Sequence, residues 1–308
     1  MIKVKEMKKR IPIIFLFLTT IIALCRIDSV TASMKGALSV CVGAIIPSIF
    51  PFLLFTELLL SSRFGKRLFE ALGKPFSFLF RLPRAAGAAY LIGILFGFPL
   101  GVRALAEYYS VGMISKKDAE RALLISNNTG PAFLVGGVGV GLLGSARLGA
   151  ALYLLEIAVT LFLGILFGVF AKKEKDDFLV TSGESNSSLP DIMRHAVLQM
   201  LSICGYVAFF SVLAALLSPV FPHSILRAML YSTLEIGSAA AFITTTFKDV
   251  QLVFSTLAFA VCFSGLSVYL QSLDCLRKTG ISSRYYLPVK VLSGTLAFFL
   301  AFFLAPCA

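Results

Sequence analysis

Charge is scarce in this chain: only 14% of its 308 residues are Asp, Glu, Lys or Arg, and histidine occurs twice, at His195 and His223. That leaves little from which to build an acid–base or metal centre. The six cysteines (25, 41, 204, 262, 275 and 307) are scattered with no Cys-x-x-Cys pair, so neither a soft-metal cluster nor a disulfide framework can be read. Small packing residues of membrane helices is the role expected of them. No Gly-x-x-x-x-Gly-Lys-[Ser/Thr] phosphate loop occurs, since Gly65-Lys66 and Gly73-Lys74 run on into Arg67 and Pro75. Gly139, Gly141 and Gly144 match a dinucleotide fingerprint by letter but lie inside an apolar run with no strand before it; Gly137 and Gly141, four apart on one helical face, are explained by close helix packing. The expectation is a protein that is not an enzyme, holds no metal and no cofactor, and does not hydrolyse ATP.

What the chain has in excess is apolar sequence. Hydrophobic residues make up 58% of it and the mean hydropathy is +0.90, gathered in runs long enough to cross about 30 Å of hydrocarbon. The net charge of +12 comes from 28 basic against 16 acidic residues. The basic residues sit between the apolar runs, which is the pattern of membrane orientation signals rather than of a nucleic-acid surface. The partner implied is the lipid bilayer, with no nucleic acid; a homo-oligomer stays open.

Residues 1–35 form a basic N-terminal segment with a first apolar run, Ile11 to Cys25, expected to remain as an uncleaved helix although Val30-Thr31-Ala32 would permit cleavage. Further runs cover 36–61, 86–111, 122–145, 147–170, 192–218, 225–247, 250–275 and 285–305. A polar stretch, 172–191, reads as a linker between a first repeat, 36–171, and a second, 192–308. Each half offers four segments that correspond in order. Gly97-Phe98-Pro99-Leu100-Gly101 and Glu235-Ile236-Gly237-Ser238 interrupt the second segments. Asn127-Asn128-Thr129-Gly130-Pro131 and Ser264-Gly265-Leu266-Ser267 interrupt the third. Helices broken there require the freed backbone to be buried in protein or to line a cavity.

The positive-inside rule discriminates between two threadings. With every run spanning, 17 basic residues lie inside and 10 outside. With the second segment of each half folded as a re-entrant hairpin, the division is 22 against 5, and Arg103 lies within the membrane in both. The hairpin threading is preferred. It makes the halves cross in opposite directions, so the expected fold is an all-α polytopic membrane protein, an inverted repeat with two re-entrant helical hairpins and two broken transmembrane helices.

Arg103 is the most informative single residue, because a guanidinium in an apolar segment costs at least about 2.5–3.5 kcal/mol unless paired or hydrated. It reads either as a clamp for a carboxylate substrate or as the partner of an internal acid: Glu57, Glu156 or Glu235, or Glu107 by snorkelling. Glu57 and Glu235 are candidates for binding a proton or coupling cation, and equally for capping a broken helix. Glu156 ranks below them, having no adjacent break. The candidate substrate-binding set is Gly97, Pro99, Gly101, Arg103, Asn127, Asn128, Thr129, Glu235, Ser264, Ser267 and Gln271, with Phe98 or Tyr269 available to stack on a ring.

At these residues the chain resembles a known family. Residues 51–59, PFLLFTELL, then GFPLG at 97–101, NNTGPAF at 127–133 and FSGLSVYLQ at 263–271 are similar, in that order, to the sporulation integral membrane proteins of the YlbJ type. That family belongs with the nucleoside-recognition or gate-domain proteins, and the likeness runs from about residue 36 to 305. It implies hairpin and broken helix twice over, as in concentrative nucleoside transporters. It also implies passage of dipicolinic acid, a small anion, through the outer forespore membrane of a spore-forming bacterium. Transport of a nucleoside or nucleobase is the alternative, and a non-transporting membrane scaffold for spore assembly is the third reading.

Overall fold

Proline, glycine and short polar side chains decide where the helices of this chain stop. The computed structural model describes residue 17, residues 19–171 and residues 188–304. The basic segment 1–10, residues 11–16 and 18 of the first apolar run and the linker from 172 to 187 lie outside the described residues. Every regular element among the described residues is helical.

Helix α1 (Ile27–Val40) passes through a π-helical turn (Cys41–Ile45) into α2 (Ile46–Ser61), with right-handed geometry at both joins, so the rod is continuous. Ser62 is extended and ends it, and its hydroxyl accepts from the Gly65 N–H at 2.9 Å to cap α3 (Arg63–Phe80). No apolar run marked α3, because Arg63, Lys66, Arg67, Glu70 and Lys74 interrupt it at every turn. Its Phe64, Leu68 and Leu72, four apart, are exposed on one face. That pattern suits a helix lying along the lipid boundary. Arg81 then takes a left-handed conformation, φ 50°, and α4 (Arg84–Phe96) leaves at 103° to α3.

The remainder is one plan used twice. In the first half, α4 turns through Gly97, Phe98 and a cis-linked Pro99 into α5 (Leu100–Ser110). Next comes α6 (Lys116–Leu123), a non-helical stretch through Asn127 to Gly130, a π-helical segment (Ala132–Leu142) and α7 (Ala146–Val169). In the second half, α8 (Leu189–Leu217) corresponds to α2. A hairpin of α9 (Ser224–Leu234) and α10 (Ile236–Thr246) turns at Glu235. The broken helix is α11 (Val250–Phe263) and α12 (Gly265–Leu276), parted at Ser264, and α13 (Tyr286–Leu304) closes the repeat. Helix α8 is capped by Ser188, whose hydroxyl accepts from the Asp191 N–H, so the last three residues of the 172–191 stretch are helical.

Among the described residues, four helical stretches are long and apolar enough to cross a bilayer: Ala146–Val169, Leu189–Val220, Val250–Leu276 and Tyr286–Leu304. The bent pair α3 and α4 makes a fifth if counted as one span. Outward-facing Phe162, Phe209 and Phe303 are each more than half exposed, as side chains in contact with lipid tails are. The hairpin helices, 11 to 13 residues each, reach only about 16–20 Å at 1.5 Å per residue and cannot cross singly. Side-chain contacts at the chain ends agree. Arg121 donates to the carbonyl oxygens of Phe80, at 3.3 Å, and Arg81, so the chain between 81 and 121 returns to the end it left. Ser282 N–H donates to Glu120 Oε1 at 3.1 Å at that same end. Gln251 donates to the Phe302 carbonyl at 2.6 Å, marking the other. The hairpins therefore enter from opposite ends, as an inverted repeat demands.

Each hairpin tip rests on the break of its own repeat. Gly97 has φ 85°, and a Cβ there would stand 2.7 Å from the Gly130 nitrogen, so only glycine meets both the turn and the contact. In the second half Gly265, φ 76°, faces the Leu234 carbonyl at the tip of α9–α10.

Two outcomes check this arrangement. In a cysteine-free background, single cysteines at 67 and 117 react with an impermeant thiol reagent from one side of the membrane, and cysteines at 223 and 248 from the other. Threading every segment across would separate both pairs. Gly101→Ala would bring a methyl within 2.8 Å of Gly93 Cα and into the Ser126 carbonyl, so a loss of about 1–3 kcal/mol is expected, seen as reduced monodisperse yield in size-exclusion chromatography. Gly205→Ala, with nothing within 4 Å, leaves the yield unchanged.

Candidate functional site

The four interrupted segments expected from the sequence come together in one region. The first break supplies Ser126, Asn127, Asn128 and Thr129, all buried. Asn127 Nδ2 donates to Ser272 Oγ of α12 at 2.9 Å and to the hydroxyl of Tyr286 on α13, which joins the breaks of the two halves. Asn128 Nδ2 donates back to the Ile125 carbonyl at 2.9 Å. Thr129 N–H, freed by the break, donates to Glu156 Oε1 at 2.8 Å. Lys290 Nζ donates to the freed Asn127 carbonyl at 2.6 Å and to the Cys262 carbonyl, near the end of α11, at 3.2 Å.

Glu235 acts on its own helix. Its carboxylate accepts from the N–H groups of Gly237, at 2.8 Å, and Ser238, at 2.5 Å, and so caps α10 at the hairpin tip. Ser264 has φ 70° and donates to the Val261 carbonyl at 3.0 Å. Gln271 Nε2 donates to Ser267 Oγ at 3.2 Å. Phe98, Glu235, Ser267 and Gln271 line a small void of about 10 Å³, which holds no more than a water.

Beside that void, and sharing Ile203 and Gln271 with it, lies an open cleft of about 470 Å³. One wall is Pro99 and Arg103 at the start of α5. Another is His195, Gln199 and Ser202 on α8, and the third is Gln271, Asp274 and Lys278 on and just after α12. The volume falls in the range of small-molecule sites. Helices of both repeats form it. Arg103 is held there on two sides: its guanidinium pairs with Glu57 of α2 and donates to Gln199 Oε1. Of the acids weighed for Arg103, Glu57 is therefore the partner.

Of the expected binding residues, Pro99, Arg103 and Gln271 face the cleft. Gly97 and Gly101 are packing contacts of the hairpin. Asn127, Asn128, Thr129, Ser264, Ser267 and Glu235 are buried behind it. Neither aromatic is free to stack on a ligand in the cleft: Phe98 is buried, and Tyr269 stacks on Tyr286 with centroids 5.5 Å apart. Glu156, ranked low for want of an adjacent break in sequence, is fully buried against a break distant in sequence. Lys290, within the apolar run 285–305, is 4% exposed and lies inside the protein. The rule applied to Arg103, a charge inside an apolar run, singles out Lys290 equally. His195, Gln199 and Ser202 also carry a signal, a polar stripe at helical spacing, and so do Gln271, Asp274 and Lys278.

The Arg103–Glu57 pair makes a stability prediction. Arg103→Gln strands a carboxylate whose side chain is 12% exposed, a loss of about 3–5 kcal/mol. The expected outcome is a lowered melting temperature in detergent, largely restored in the double variant with Glu57→Gln.

The sporulation integral membrane protein YlbJ of Bacillus subtilis (strain 168) is 26% identical over 328 aligned positions, which cover 92% of this chain and 79% of that protein. No protein-family model and no solved structure matches the chain. The likeness read from the order of motifs thus extends along nearly the whole sequence. With its apolar spanning helices, the chain is an integral membrane protein, similar along nearly all of its length to that sporulation protein.

Proposed function

We propose that the protein is a membrane carrier for a small organic anion, dipicolinate in particular, acting at the outer forespore membrane during sporulation. The observation that carries this reading is the cleft between the two repeats, with Arg103 and Lys278 on different walls. A pyridine dicarboxylate offers two carboxylates to two cations, and the amides of Gln199 and Gln271 are within the same lining. The cleft lies toward the end that carries Lys278 and Ser282, which the charge rule makes cytoplasmic. Substrate is then taken from the cytoplasm of the compartment that houses the carrier. The sporulation role in the name of the Bacillus relative supports the setting.

A nucleoside carrier is the second reading, and one observation favours it. Asp274 in the lining and Glu57, paired with Arg103, balance Lys278 and Arg103, so the site carries little net charge.

Purified protein in liposomes decides between them. Saturable dipicolinate uptake, absent from empty liposomes and not competed by uridine, is the expected result. Lys278→Gln removes one charge-assisted contact worth about 1.5–3 kcal/mol, a weakening of dipicolinate affinity by about 10- to 100-fold. Uridine uptake without dipicolinate uptake moves the assignment to nucleosides. Uptake of neither points to the scaffold.

A further inference from the structure

Secondary transporters use the carbonyls freed at unwound helices to coordinate a coupling cation. Here a side chain reaches those carbonyls. Lys290 Nζ stands 2.6 Å from the Asn127 oxygen of the first break and 3.2 Å from the Cys262 oxygen beside the second. It is 4% exposed, and among the described residues no carboxylate oxygen lies within 4.0 Å of it. The first break carries further oxygen atoms. Asn127 Oδ1, Thr129 Oγ1 and Glu156 Oε2 are buried with no hydrogen-bond partner, and Glu156 holds the same break through the Thr129 N–H. A hard cation is what such an oxygen set takes.

We infer that Lys290 is the resident cation of this site: its ammonium takes the place of a free monovalent cation at the crossing of the two broken helices. Two consequences follow. The site does not bind sodium while Lys290 is present, and one side chain ties the breaks of both repeats to α13. The meaning of the first for coupling rests on the carrier reading, but the binding statement does not, since it concerns the folded protein alone.

The test is therefore thermal melting of purified protein in detergent, with sodium chloride compared against choline chloride at equal ionic strength. Wild type is expected to melt at the same temperature in both. Lys290→Met, which leaves the carbonyls without a cation, is expected to melt several degrees lower in choline chloride and to recover part of the loss in sodium chloride or methylammonium chloride. Lys290→Gln, which keeps an N–H donor but no charge, should show the same sodium-selective recovery and serves if the Met variant gives no protein. A wild type stabilised by sodium overturns the inference, as does a folded variant indifferent to sodium and methylammonium. If neither variant folds, the wild-type comparison decides: indifference to sodium sustains the resident cation, and stabilisation by sodium ends it. Failure of dipicolinate transport in liposomes would leave these melting results as they stand.

Discussion

The centre of this protein is governed by one requirement: a helix interrupted inside a membrane protein frees N–H and C=O groups that no solvent can satisfy, at several kcal/mol for each one left alone. The first break exposes the Thr129 N–H and the Asn127 carbonyl, two residues apart and of opposite polarity. A carboxylate from α7 meets the donor and an ammonium from α13 meets the acceptor. Three ionisable residues in otherwise apolar segments, Glu156, Lys290 and Glu235, each satisfy broken backbone. Their burial is costly in isolation, and the groups they satisfy offset that cost.

The two repeats solve the same problem with different chemistry. The second break is two residues of positive φ, Ser264 and Gly265, with helix on either side, so few backbone groups are freed. Its hairpin tip supplies its own cap in Glu235. The first break runs from the end of α6 to Pro131 and frees many more, which is why it draws partners from α7, α12 and α13. Two of those three belong to the other half. The architecture is repeated, yet the first break is structurally dependent on the second repeat.

This dependence also explains what could be read in the sequence. The hairpins and broken helices were legible because their interruptions are local: Gly97 to Gly101, Asn127 to Pro131, Glu235 to Ser238 and Ser264 to Ser267 each break an apolar run visibly. The charge rule then chose the threading that Arg121, reaching the Phe80 and Arg81 carbonyls, requires. Helix α3 was not legible because an amphipathic helix at a lipid boundary has no uniform apolar run. Glu156 was undervalued because its partner, the Thr129 N–H, is a backbone group far from it in sequence. Lys290 sits four residues into its helix, where a charge near a boundary looks like a loop residue. No spacing rule places it 2.6 Å from Asn127.

Arg103 joins the central scaffold to the cleft. Its guanidinium contacts an acid on α2 and an amide oxygen on α8, so two of its donor directions are held by groups of unequal strength. Glu57 contributes a charge-assisted contact, whereas Gln199 is neutral and roughly half as strong an acceptor. On the carrier reading, an anion entering the cleft gains most by replacing Gln199 and leaving Glu57 in place, which keeps the buried acid paired throughout. That exchange removes the hydrogen bond by which α5 of the first repeat grips α8 of the second. Ligand binding would then loosen one contact between the two halves that bound the cleft, and a carrier whose halves rock against each other needs a contact of this kind.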